Sequence, residues 1–239
     1  LNIIDCISKC KTVSKALFIT TDKVYKNTIA NLAFHENAEL WGDDPYSASK
    51  VVSEQIIHSY KVSGLLKHCS VAVVRAGNVI GGGDYSSNRI FPDIYRALLN
   101  NDKLRVRNPR STRPWQHVLE PLSGYLLLAE KLAKNKILKV SQNWNFGPNI
   151  SNCKSVKYIA NYFAKSLKLK IKIAKNKSKD FKPETSYLRL SNFKARKLLK
   201  WSPRWSLNNS LNKIIEWNKD SRKEGYKTIC EKQIKNYLK

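Results

Sequence analysis

The stretch PYSASKVVSEQIIHSYKVSGLLKHCSVAVVRAGNVIGGGD, residues 45–84, decides the fold. Pro45 suits the opening turn of a helix. Val51, Val52, Gln55, Ile56 and Tyr60 then repeat with a helical period, and Gly64 stops the run. The VAVV run that follows has no polar alternation, as expected of a strand buried on both faces. Gly81 to Gly83 form a permissive loop beyond it. Upstream, KALFITTDKVY (15–25) is a second short apolar run that ends in small polar residues. Strand, helix and strand of these lengths make a βαβ unit of a parallel sheet.

Outward from this unit the pattern continues. Residues 2–11 have helical spacing, RIFPDIYRALLNN (89–101) reads as a helix, LRVRN (104–108) as a short strand and RPWQHV (113–118) as an extended segment. EPLSGYLLLAEKLAKN (120–135) is a long helix opening with Glu and Pro, and WNFGP (144–148) is strand plus turn. A helix near 155–168, the lysine-alternating strand LKLKIKIAK (167–175) and two helices bracketing WSPRW (201–205) complete the chain.

The 239 residues suffice for one sizeable domain, or one domain with a smaller lobe. The formal charge of +26 raises a nucleic-acid partner as a question. The lysines are spread along the chain rather than gathered in a block, which is the pattern of a solvated surface, so that partner is not favoured. Five scattered cysteines and four dispersed histidines show no metal-ligand spacing, and free thiols belong to a reducing compartment. No apolar run is long enough for a membrane span and no secretory leader is visible, which makes the cytoplasm the default address. The chain contains no methionine and opens with Leu1 inside a helical pattern, as a fragment would.

In an open parallel sheet, ligands gather beyond the carboxyl ends of the strands. One strand ends in Thr21, Asp22 and Lys23, the other in Arg75, Ala76, Gly77 and Asn78. Between them, Tyr46 and Lys50 lie one turn apart on one helix face. A free phenol titrates near pH 10, and lowering that by about three units requires about 4 kcal/mol. A nearby ammonium and a helix N-terminus both act in that direction. An ordinary solvated helix face shows the same spacing, so the neighbouring motifs decide.

Those motifs are TTDKVY, PYSASK, VVRAGNVIGGGD, RIFPDI, RNPRSTRPWQHVLEPLSGYLLLAEKL and WNFGP, in that order. The series resembles the extended short-chain dehydrogenase/reductase superfamily of nucleotide-sugar enzymes, most closely its branch that dehydrates CDP-glucose. The likeness covers residues 10–150 strongly and the tail, through YLRLSNFKARKLLKWSPRW, more loosely.

The resemblance implies an α/β fold: a doubly wound, Rossmann-like parallel sheet whose first βα units are absent, with a small C-terminal substrate-binding lobe. Residues 1–85 and 113–150 would form the NAD-binding part, and 86–112 with 151–239 the lobe. It implies NAD as cofactor, a nucleotide sugar as substrate and a homodimer packed through the helix from residue 45. Tyr46 would take the proton from the sugar O4 and Lys50 would bind the nicotinamide ribose and lower the tyrosine pKa, so both also bind cofactor. Thr21 would hold the sugar hydroxyl, Asp22 would protonate the departing hydroxyl and Lys23 would stand at the base position. Asn78, Arg89 and Arg113 would hold the diphosphate, by the forked contacts guanidinium groups make with phosphate oxygens.

Two departures follow. The glycine-rich turn that cradles pyrophosphate after the first strand is missing, and GNVIGGGD comes too late in the order to replace it. In PETSYLRLS, Thr185 follows Glu184 and Ser191 stands where the superfamily has Asp, which leaves the choice of base open. Three readings remain: the larger part of a sugar-nucleotide dehydratase, a truncated remnant unable to hold NAD, and a basic nucleic-acid-binding module. Standing alone, the chain is expected to expose sheet surface and edge and to be poorly soluble.

Overall fold

The structure, a computed structural model, describes residues 1–26, 32–134, 143–173 and 188–239. In chain order its elements are α1 (Asn2–Lys9), β1 (Lys15–Ile19), α2 (Pro45–Val62), β2 (Ser70–Ala76), β3 (Asn78–Ile80), α3 (Ile90–Leu99), β4 (Leu104–Val106), β5 (Thr112–His117), α4 (Leu119–Lys134), β6 (Asn143–Phe146), β7 (Cys153–Ser155), α5 (Val156–Leu167), β8 (Ile171–Ile173), α6 (Leu207–Glu224) and α7 (Tyr226–Leu238). Residues 174 and 175 of the lysine-alternating strand, and Glu184 with Thr185, lie outside the described residues.

The chain forms two compact units, Leu1–Gly77 with Glu120–Pro148 and Leu190–Pro203, and Asn78–Leu119 with Asn149–Arg189 and Arg204–Lys239. In the first, β1, β2 and β6 form a parallel sheet in the order β1-β2-β6. Ala16 pairs with Val71, and Val74 with Trp144. The central strand β2 is buried along its whole length, as its unbroken apolar run requires. One face of the sheet packs Val71 and Val73 against Ile4 of α1 and Ile57 of α2. The other packs Val74, Trp144 and Phe146 against Leu128 and Leu132 of α4 and against Ala195, Leu199 and Trp201. Helices thus cover both faces, the α/β, Rossmann-like arrangement, and each buried aliphatic side chain contributes about 2 kcal/mol.

Local chemistry starts α2 where the sequence places it. Asp44 accepts from the backbone of Tyr46 at 2.9 Å and of Ser47 at 3.0 Å, and Ser47 Oγ accepts in return from Asp44 N. This capping box, with Pro45 in the first turn, satisfies amide groups that a helix start leaves orphaned. The helix buries Ser47, Glu54 and Ile57 and leaves Val52 exposed. The apolar spacing pointed to Val52, but Glu54 is drawn inward by a charge on the sheet.

In the second unit β5 pairs with β3 in parallel and with β7 in antiparallel register, while β4 pairs with β8. Its core joins Phe91 and Ile94 of α3, Trp115 of β5, Phe163 of α5 and Leu211 and Ile214 of α6. Phe91 meets Trp115 and Phe163 edge-on, with centroids 5.9 and 5.4 Å apart.

This grouping differs from the division expected from the sequence. Residues 78–85 and 113–119 join the second unit because Asn78–Ile80 is itself a strand, bonded to Trp115–His117 and not to the first sheet. Residues 190–203 join the first because Trp201 seats its ring 5.0 Å from that of Phe146 and donates Nε1–H to Ser123 Oγ at 3.0 Å.

Candidate active site

The carboxyl end of β1 leads into Thr21, which caps a single 3-10 turn at Asp22–Val24. Thr21 Oγ1 accepts from Lys23 N and donates to Asp22 Oδ1, both at 3.3 Å. Thr21 and Asp22 are buried, at 8% and 4% exposure, while Lys23 is open to solvent. Asp22 also lies near Tyr125 of α4, whose phenol is pushed well above its ordinary value by burial and further by the aspartate charge. Tyr125 stays a neutral hydroxyl beside the carboxylate.

At the start of α2, Tyr46 is half exposed. Lys23 Nζ and Lys50 Nζ each stand 5.9 Å from its ring centroid. The helical spacing supplies one of these neighbours and the turn after β1 supplies the other. Positive charge therefore lies beside the ring from two elements. Of the residues singled out in this unit, Lys23, Tyr46 and Lys50 meet at the surface, and Thr21 and Asp22 form a buried pair in the same turn as Lys23.

A scaffold that the motifs did not announce holds these elements together. Arg75 of β2, fully buried, donates through Nε to Glu54 Oε1 at 2.9 Å and through Nη2 to Glu54 Oε2. Its Nη1 donates to Tyr25 OH at 2.7 Å, and Tyr25 donates in turn to Asn145 Oδ1 of β6 at 2.7 Å. Thr20 Oγ1 donates to Glu54 Oε1 at 2.6 Å. One buried ion pair thus connects α2, β2, the end of β1 and β6. Burial pushes the Tyr25 phenol up to about 12, against the pull of the Arg75 charge. The available signal was a glutamate four residues after Lys50, which helical spacing puts on the same face.

Asn78, Arg89 and Arg113 belong to the second unit. Asn78 opens β3 opposite Trp115. Arg89 occupies the N-cap position of α3 with its side chain exposed, and its Nη1 lies 3.7 Å from Asp84 Oδ2. Arg113 is buried at 7% exposure, and its Nη1 donates to Thr112 O at 3.0 Å. Arg107, a weaker candidate from sequence, donates to Asn88 Oδ1 at 2.9 Å and lies 3.6 Å from Asp93 Oδ2. Arg89 and Arg107 therefore both contact the segment from Asp84 to Asp93.

The glycine loop does not offer a pyrophosphate cradle. A Cβ at Gly82 would stand 2.1 Å from Cδ2 of Trp217, and Gly83, at φ +77°, lies on the same indole. Glycine is needed here so that the backbone can approach a side chain that already fills the space. Tyr46 and Lys50, an open hydroxyl and ammonium on one helix face, fit the nicotinamide-ribose end of NAD. Among the described residues no strand runs through a glycine-rich turn into a helix to receive its pyrophosphate.

The pattern defining the GDP-mannose 4,6 dehydratase family matches residues 1–214. CDP-glucose 4,6-dehydratase of Salmonella typhimurium is 36% identical over 250 residues, covering 100% of this chain and 68% of that protein. A dTDP-D-glucose 4,6-dehydratase of Dictyostelium discoideum is 27% identical, over 65% of this chain and 37% of its own. Among solved structures, dTDP-glucose 4,6-dehydratase of Bacillus anthracis in complex with NAD superposes with a TM-score of 0.77 at 20% identity, covering 95% of this chain and 68% of that one. UDP-glucuronic acid 4-epimerase of Bacillus cereus, with UDP-glucuronic acid and NAD, gives 0.71 at 20% identity over 86% and 62%. At these identities the structures establish the fold.

Proposed function

The chain belongs to the GDP-mannose 4,6 dehydratase family, and we propose that it carries the reacting residues of an NAD-dependent nucleotide-sugar 4,6-dehydratase, a lyase whose substrate is CDP-glucose. The observation that supports this most is the meeting of Lys23 and Lys50 beside the half-exposed Tyr46, in a chain similar along its whole length to a CDP-glucose dehydratase.

Bound NAD would supply a hydride acceptor for the sugar C4. Tyr46, as a phenolate, accepts the O4 proton and ends the step as a neutral phenol, with the Lys50 ammonium beside its ring. Lys23, the open basic side chain of the turn, stands at the proposed base position. Asp22, hydrogen-bonded to Thr21, is the proposed acid for the departing C6 hydroxyl, a role that requires its protonated form. Asn78, Arg89 and Arg113 are the proposed diphosphate donors, with Arg89 the exposed one. No described helix is long and apolar enough to cross a membrane. The five free cysteines suit a cytoplasmic enzyme.

The test is incubation of the chain with CDP-glucose and NAD, followed by mass spectrometry. The expected product has lost one water while total NAD is unchanged. Tyr46→Phe should slow this by about 10²- to 10⁴-fold without lowering the melting temperature, since the side chain is half exposed. Turnover that survives Tyr46→Phe undiminished would overturn the assignment.

A further inference from the structure

We propose that the groove between the last turns of α2 and the amino-terminal end of β6 is a binding site for a small oxyanion, with Lys61 as its principal donor. The groove has a volume of about 210 Å³, with Val73 and Asn143 on the sheet side, Glu54, Gln55, Ile57, His58 and Lys61 on the helix and Leu40 closing one side. Lys61 lies fifteen residues beyond Tyr46, about 22 Å along the helix axis, so an anion on it would sit away from the Tyr46 phenol and would not depend on the proposed reaction, although the groove shares Glu54 with the buried scaffold.

Lys61 carries a charge without a counter-charge among the described residues. Lys61 is half buried, and its Nζ donates to the backbone oxygen of Val71 at 3.1 Å. The charged groups around it are accounted for as follows. Glu54, on the same helix, has its carboxylate engaged by Arg75 and Thr20. Glu36 accepts from Asn145 N at 2.9 Å and acts on Lys194. Lys194 itself donates to Asn143 O at 2.6 Å and sits 4.6 Å from the Trp144 ring centroid. The Glu54 carboxylate is thus already engaged, Lys194 repels Lys61, and among the described residues Lys61 has no ion pair.

Burial pushes Lys61 down to about 8, and the like charge of Lys194 adds to this. At neutral pH the ammonium is retained in a setting that disfavours it. Partly desolvated charge without a counter-charge is unfavourable, and an anion in the groove removes that penalty. Lys61 has two further N–H groups beyond the one given to Val71, and the exposed His58 and Gln55 add donors near the mouth. A volume below that of drug-sized pockets suits an ion of sulfate or phosphate size.

Sulfate is the probe, because its charge is constant between pH 6 and 9. Melting temperatures are measured for the chain, Lys61→Gln and Lys227→Gln in sulfate and in chloride at matched ionic strength. Lys227 is a 90% exposed lysine, so its removal controls for general charge. The expected result is a sulfate-specific gain shared by the chain and Lys227→Gln and lost in Lys61→Gln. In the unsubstituted chain, sulfate affinity should fall as Lys61 loses its proton, approaching tenfold per unit above pH 8. An equal sulfate gain in all three proteins, or an affinity flat from pH 7 to 9, would overturn the proposal. Parallel titrations with inorganic phosphate and a simple phosphomonoester identify the natural source: tighter binding of the ester assigns a phosphorylated metabolite, tighter binding of phosphate a free ion.

Discussion

Glu54 and Arg75 carry the greatest consequence for single residues, since both side chains are buried, at 5% and 0% exposure. Glu54→Gln removes the carboxylate that holds the Arg75 guanidinium through Nε and Nη2 and is expected to destabilise by about 3–5 kcal/mol in urea unfolding. Replacing both, Glu54→Leu with Arg75→Met, should recover part of that loss, because no buried charge is then stranded. His117 gives a pH effect of definite sign. Its Nδ1 accepts from Leu119 N at 3.3 Å, its Nε2 is buried without a partner among the described residues, and its ring lies 4.8 Å from that of Trp205. Burial, and then Lys213, push it down from 6.5 to about 4. The unfolded chain therefore binds the extra proton between those values. The stability from a neutral His117 is complete above pH 6.5 and declines by roughly 3 kcal/mol as pH falls toward 4. Unfolding of the chain and of His117→Asn at pH 7 and pH 5 isolates this contribution. Parallel pH dependence in the two would refute it.

At the scale of elements, α4 shows how contact overrides propensity. Gly124 lies inside this helix, and helix propensity alone says that alanine should stabilise by about 1 kcal/mol. A Cβ there would stand 2.2 Å from Cδ1 of Phe146, a fully buried side chain held edge-on by Trp201. Gly124→Ala is therefore expected to destabilise by about 1–3 kcal/mol. A higher melting temperature would show that α4 can move away from β6. Helix α2 combines two jobs: its capping box fixes where Tyr46 begins, and Glu54 fixes its rotation on the sheet.

For the whole molecule, the association expected through α2 is a reading that the exposed Val52, at 56%, makes testable. Sedimentation of the chain should show a dimer, and Val52→Asp should convert it to a monomer without changing the stability of the single chain. A monomer at all concentrations would refute that association. Binding to polyanions that weakens steeply with salt would instead favour the basic-module reading that the spread of the lysines argues against. Among the described residues strand β1 ends its sheet, and Ile19 is 58% exposed.

What the sequence determined by itself was local. The βαβ unit, the start of α2 and the placing of Lys50 one turn from Tyr46 follow from periodicity, capping and helix rise, all of which act within a few residues. The tertiary structure alone decided the rest. Lys23 reaches Tyr46 only because β1 and α2 pack together, and Arg75 selects Glu54 across a separation of 21 residues. Asn78–Ile80 becomes a strand by pairing with Trp115–His117, where local reading saw the approach to a loop. Gly82 owes its identity to Trp217, 135 residues later in the chain. Such partners are chosen by burial, charge compensation and excluded volume between distant segments, and no window of neighbouring residues contains them.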